Sequence, residues 1–196
     1  ALDMAQKSGV VRIQAAVLAN MGNMFFEVGE FDRAREQFEK ALAVAPTHGP
    51  QTIGSLESLA RVHLHEGEMD LCLSKLDQIE SSIGAEQDRL LYEQRYSALT
   101  RIHVFTLQDR VNEGLSGIDA VLILAERVGD ALLQKRVLLA KADLLQRAGQ
   151  MSSSMILIAE IAPGFVGMSP DLFARSAQVI ASAFASDRTG TRLSPI

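Results

Sequence analysis

Between Ala15 and Pro46 the chain reads AAVLANMGNMFFEVGEFDRAREQFEKALAVAP, and this stretch constrains the fold more than any other. Leu18, Met21 and Phe25 recur at three- and four-residue steps, which places them on one face of a helix. Phe31, Ala34, Phe38 and Ala41-Leu42 do the same for a second helix. Gly29 falls between the two runs, where a tight helix end favours a left-handed residue. Glu30 and Asp32 lie near the start of the second helix, where its dipole favours negative charge, and Pro46 cannot continue it. Gly22 and Ala34 are small enough to let the two backbones approach closely. A hairpin of this size cannot bury its own apolar face, so it needs neighbours stacked against it.

The rest of the chain supplies those neighbours. A second unit starts at Ile53, with Leu56, Leu59, Ala60 and His63 on its first helix, then Gly67, and Met69, Cys72, Leu76 and Ile79 on its second. A third runs through Arg95–Leu107, turns at Asp109, and continues with Val111, Gly114, Ile118 and Val121 up to Gly129. A fourth starts near Lys135, with Leu138, Ala142, Leu145, Gly149, Met151, Ser154, Ile158 and Ile161, and stops at Pro163-Gly164. Lys141 stands in the slot that Met21 and Leu59 fill elsewhere. Ser169-Pro170-Asp171 predicts one more helix to about residue 185, before a polar tail over 187–196. Residues 1–29 also align without a gap on 121–149, with Gly9 opposite Gly129 and Gly29 opposite Gly149. That alignment predicts that Ala1–Ser8 are the last turns of a helix from a preceding repeat, in a fragment of a longer protein.

The spacing Leu18-x2-Met21-Gly22-x2-Phe25, Ala34-x3-Phe38, Pro46 resembles the tetratricopeptide repeat (TPR), whose pattern is W-x2-L-G-x2-Y, A-x3-F, P. The Trp slot is taken by Leu18. The resemblance implies an all-α, right-handed solenoid of antiparallel helix pairs. It would hold about four repeats plus partial terminal helices, as one domain over 1–186 and a flexible tail. Successive repeats are 38, 42 and 40 residues apart. Such long steps look like the repeats of bacterial signal-responsive transcription regulators of the maltose-regulator type, or of anaphase-promoting complex subunit 5.

Composition narrows the function classes. A net charge of −5 argues against a nonspecific nucleic-acid grip by this chain. No apolar run reaches the roughly 18 residues of a membrane span. One cysteine, Cys72, excludes an internal disulfide and suits a reducing, cytoplasmic setting. No catalytic constellation emerges, and no cofactor is implied: there is no glycine-rich cradle between a strand and a helix. His63 and His65 are two residues apart and point to different sides of a helix, so they cannot share a metal. Cys72 reads as a packing residue, because it occupies a small-residue slot.

The resemblance places function on the concave face lined by the first helix of each repeat. By register that face offers Asn23 and Phe26, then Glu57, Arg61 and Leu64, then Tyr96 and His103, then Arg136 and Asp143. Asn23 matches an Asn that, in peptide-binding TPRs, bonds a bound peptide. The companion Lys of a carboxylate clamp would fall at Ala19, so a clamp for a chaperone tail is not expected. The implied function is a noncatalytic scaffold for a protein or peptide partner, as the interaction or sensor domain of a bacterial regulator. An effector-sensing domain, or an architectural subunit of a large eukaryotic assembly, stays open as an alternative. Uncovered apolar surface at the first repeat further predicts self-association.

Overall fold

The computed structural model describes the backbone over residues 2–45, 50–82 and 92–165, and side chains over 9–45, 51–82 and 94–163. Within those residues it is built from helices: α1 Leu2–Glu27, α2 Phe31–Val44, α3 Pro50–His65, α4 Met69–Ser82, α5 Tyr92–Leu107, α6 Val111–Val128, α7 Ala131–Arg147 and α8 Met151–Ile161, followed by a 3-10 turn at Ala162–Phe165. This is the all-α helical-repeat class expected from the spacing. The helix expected near 170–185 and the tail at 187–196 lie outside the described residues.

One turn design recurs after α1, α3, α5, α6 and α7. Gly29, Gly67, Gly129 and Gly149 take left-handed φ values of 69–79°, and Asp109 takes the same role at φ 57°. Each turn closes with a long and a short backbone bond, as in Glu30 N–H to Phe25 O at 2.9 Å and Gly29 N–H to Phe26 O at 3.1 Å. The pair satisfies two carbonyls that the helix end would otherwise leave open. At the far end of α2, Ala45 is extended (φ −68°, ψ 149°), the conformation a following proline imposes on the residue before it.

The chain divides into two compact units, Ala1–Val104 and Phe105–Ile196. In the first, α1 packs on α2 and α3, α2 packs on α3, and α3 packs on α4. Every apolar slot read from Leu56 to Ile79 on the second repeat is buried, apart from Met69: Leu56, Leu59, Ala60, Cys72, Leu76 and Ile79 are each no more than 6% exposed. In the second unit α7 packs against both α6 and α8. The second helix of each pair buries residues at a repeated four-then-three step: 34/38/41, 72/76/79, 114/118/121 and 154/158/161. Glycine permits a close approach between packed helices at two points. A Cβ on Gly22 would lie 2.5 Å from the fully buried Phe38 ring, and one on Gly114 would lie 2.9 Å from Leu144.

Three expectations change. Ala1–Ser8 do not end a separate helix, because α1 runs unbroken through Gly9. The residues after each glycine make the difference. After Gly129, Asp130 caps α7 by accepting from Leu133 N–H at 3.0 Å, whereas Gly9 is succeeded by Val10-Val11, which offer no cap. For the same reason α7 begins at Ala131, ahead of Lys135. Met21 does not share the covered face of Leu18 and Phe25: it is 41% exposed.

Lys141 occupies that slot in a different way. It reaches Asp119 on α6 at 3.2 Å, and Arg101, in the matching slot of α5, reaches Asp77 on α4 at 2.8 Å. A cation in these two slots bridges to the preceding helix where Leu59 makes apolar contact with Ala34, Phe38 and Val62.

Candidate partner-binding face

Four of the nine residues singled out by register come together on α1 and α3. Arg61 is the centre. Its Nε donates to Glu57 Oε2 at 3.0 Å, and its Nη2 donates to Ser58 Oγ at 3.3 Å and, at the limit of hydrogen bonding, to Asn23 Oδ1 at 3.5 Å. The guanidinium carbon lies 4.9 Å from the centre of the Phe26 ring, within cation–π range. Glu57 is a buried carboxylate, 6% exposed at its side chain, whereas Arg61 is one-third exposed. A one-turn spacing on α3 lets the buried acid hold the cation in place. The arrangement therefore presents an oriented guanidinium with an amide and an aromatic face beside it.

Two residues that register reasoning passed over extend this face. Phe26 meets Phe31 edge-on at 5.4 Å and His65 edge-on at 5.0 Å, and Phe31 stacks on His65 at 5.2 Å. The helical register alone sets His65 on a different side of α3 from His63. Its meeting with Phe31 depends on how α2 leaves the Gly29 turn, which spacing alone does not reveal.

The other five residues sit elsewhere. Leu64 packs against the core around Ile53, Leu56 and Val104. Tyr96 is buried at 6% exposure, and His103 on the same helix is half-buried. Arg136 and Asp143 belong to α7 in the second unit, where Asp143 accepts from Arg147 Nε at 3.2 Å.

A separate polar cluster lies at the α3–α4 turn. His63 Nδ1 is 2.7 Å from Glu68 Oε2, while Arg35 on α2 pairs with Glu66 and lies 3.6 Å from Glu68. Burial works against the Arg35 charge, but the hydrogen bond to Glu66 and the nearby carboxylates outweigh it, so its pKa stands above the ordinary value. One ligand atom from each of His63, Glu66 and Glu68 falls within 4.8 Å of the others, a set that could hold a divalent cation. Arg35 already occupies the carboxylates, and a metal would have to displace it. His63 and His65 face different neighbours, Glu68 and the Phe26–Phe31 pair respectively. Cys72 is fully buried, and burial pushes its thiol up to about 12, with Arg101 opposing and Glu57 adding to the shift. A thiol in that state is not a nucleophile at neutral pH.

Comparison with known proteins agrees with this fold. Residues 15–48 match the family model of the tetratricopeptide repeat. A crystal structure of a substituted form of Podosopora anserina kinesin light chain nearly identical TPR-like repeats is similar over 90% of this chain and 87% of its own, at 15% identity and a TM-score of 0.66. A second structure of those repeats is similar over 91% of this chain and 97% of its own, at 12% identity and a TM-score of 0.60. No match was found among curated protein sequences. Residues 15–48 are thus a tetratricopeptide repeat, and the chain carries the all-α fold of TPR-like repeat proteins.

Proposed function

We propose that the chain is a noncatalytic scaffold that binds a protein or peptide partner, and that Asn23, Phe26, Glu57 and Arg61 form part of the binding face. The observation that carries this reading is Arg61, clamped by the buried Glu57 and set over Phe26 beside Asn23. An oriented guanidinium recognises a carboxylate or a backbone carbonyl, an amide bonds peptide groups, and an aromatic face accepts an apolar side chain. These are the contacts an extended peptide requires. A peptide array rich in acidic and C-terminal carboxylate sequences tests it. Arg61→Ala should weaken the best binders by about tenfold or more, the loss of one charge-assisted contact. Asn23→Ala should weaken them less. Equal binding by wild type and both variants would remove this face from the proposal.

The long spacing supports a finer reading. The second helices start at residues 31, 69, 111 and 151, steps of 38, 42 and 40. We place the chain, on that basis, as the interaction or sensor domain of a bacterial transcriptional or signalling regulator acting in the cytoplasm. A DNA-binding or ATPase domain encoded beside it would support this assignment, and an unrelated genomic setting would refute it. No described helix is long and apolar enough to cross a membrane.

A further inference from the structure

We propose that His63, Glu66 and Glu68, at the turn between α3 and α4, form a site for a divalent transition-metal ion, and that Arg35 is the counter-ion which such a metal displaces. The site is separate from the Arg61 face and does not rest on the peptide-binding reading.

One ligand atom from each of the three residues lies within 4.8 Å of the others. The left-handed Gly67 turn sets this up: Glu68 N–H donates to His63 O at 2.8 Å, which brings residue 68 back beside residue 63. His63 forms the floor, its side chain 9% exposed, whereas the Glu66 and Glu68 side chains are 21% and 39% exposed and leave a way in from solvent. A tetrahedral zinc ion with ligands at about 2.1 Å sets them about 3.4 Å apart, so the set closes with side-chain shifts of about 1 Å. His63 Nδ1 now lies 2.7 Å from Glu68 Oε2. It turns its lone pair to a metal once the ring proton sits on Nε2. One imidazole nitrogen and two carboxylates, with a fourth position open to water, suit zinc, cobalt or nickel, whereas magnesium and calcium prefer oxygen alone.

The chain's other turns show that these residues are not what the repeat needs for packing. Counted from the left-handed residue, the His63 slot holds Phe25, Phe105 and Leu145 elsewhere, and the Glu66 slot holds Val28, Gln108 and Ala148. The Arg35 slot holds Leu73, Leu115 and Met155 in the other second helices. Three ionisable side chains thus take slots that are otherwise neutral, and all three meet at one turn.

Arg35 distinguishes this arrangement from a bare pair of acids. It supplies positive charge to Glu66 and Glu68 through Nη2, while its Nε is buried and makes no hydrogen bond. A buried donor left without a partner costs free energy, so the guanidinium is an imperfect occupant. The Arg35 side chain is about a third exposed, and Asp32, one turn back on α2, attracts it. The cation therefore has an acid to turn to when a metal takes the carboxylates. The exchange replaces one cation by another, so Glu66 and Glu68 are never left as a bare like-charge pair.

Cobalt(II) titration of the metal-stripped whole chain, without a histidine tag and read by visible absorption, tests the proposal. The wild type should give a saturable band at one equivalent, removed by zinc and not by magnesium. Replacements taken from the chain's other repeats supply the controls. His63→Phe should weaken binding by at least about 100-fold, the loss of a ligand. Arg35→Leu should tighten it by about tenfold, since a competing cation is gone. Glu66→Gln should weaken it by about tenfold or more, and it decides the matter should His63→Phe lose its helical circular dichroism. No band from the wild type at millimolar cobalt would overturn the proposal. So would binding that appears only with Arg35→Leu, because Arg35 would then be a permanent occupant, and so would equal affinity of that variant and the wild type. Binding undiminished by His63→Phe and Glu66→Gln would place the metal elsewhere and also overturn it.

Discussion

At the residue scale, the small-residue slots are the least forgiving positions. Gly22 is helical, so alanine there would gain up to about 1 kcal/mol of helix propensity. Its Cβ would nevertheless meet the buried Phe38 ring at 2.5 Å. The collision should win, with Gly22→Ala losing about 1–3 kcal/mol in urea unfolding. Cys72 fills the same kind of slot in the next repeat, and its burial has a chemical consequence. A thiol reagent should label the native protein slowly and the unfolded protein at once. The thiol's pKa rises from the ordinary 9.0 to about 12 in the fold. The unfolded chain therefore loses this proton first as the solution becomes alkaline. Cys72 contributes its full stability below pH 9 and loses it progressively toward pH 12. Melting curves of wild type and Cys72→Ala should therefore converge across that window, because other alkaline titrations are common to both.

At the element scale, helix ends decide where the chain turns. Asp130 accepts from Leu133 N–H, and Asp130→Ala should cost about 1 kcal/mol, the usual value of an N-cap. Asp109 is the one turn residue with a side chain in the left-handed region among the five such turns described. Asp109→Gly should relieve roughly 1 kcal/mol of that conformational cost. The exposed Asp109–Arg147 pair, at 3.6 Å, is too weak to reverse the sign. Both effects are readable as shifts in the denaturation midpoint. The α1 helix shows the converse case. A glycine at position 9 does not end a helix when no cap comes after it and the next residues are apolar.

At the scale of the whole molecule, stability within each unit comes from one hairpin covering the next: α2 packs on α3 in the first unit and α6 on α7 in the second. Leu59 carries this contact between the first two repeats, so Leu59→Ala should cost about 2–5 kcal/mol. Lys141 does the corresponding work through a partly exposed ion pair, so Lys141→Leu should stay within about 1 kcal/mol of wild type. Equilibrium unfolding of the two variants side by side tests whether equivalent slots differ as their chemistry requires.

Taken by itself, the sequence determined that the chain is helical, that its helices come in hairpins, and where nearly every described turn falls. Those features depend on local rules: apolar steps of three and four, left-handed glycines and a proline stop, all acting within a few residues. The same register reached Asn23, Phe26, Glu57 and Arg61. It did not foresee that Phe31 and His65 would join them, that Arg35 would bridge Glu66 and Glu68, or that Tyr96 would be buried. It also could not separate the covered face of α1 from the open one, since Met21 and Leu59 occupy the same slot. Only tertiary packing decides these points, because burial belongs to a pair of surfaces, and a slot is filled or left open according to whether another helix lies against it.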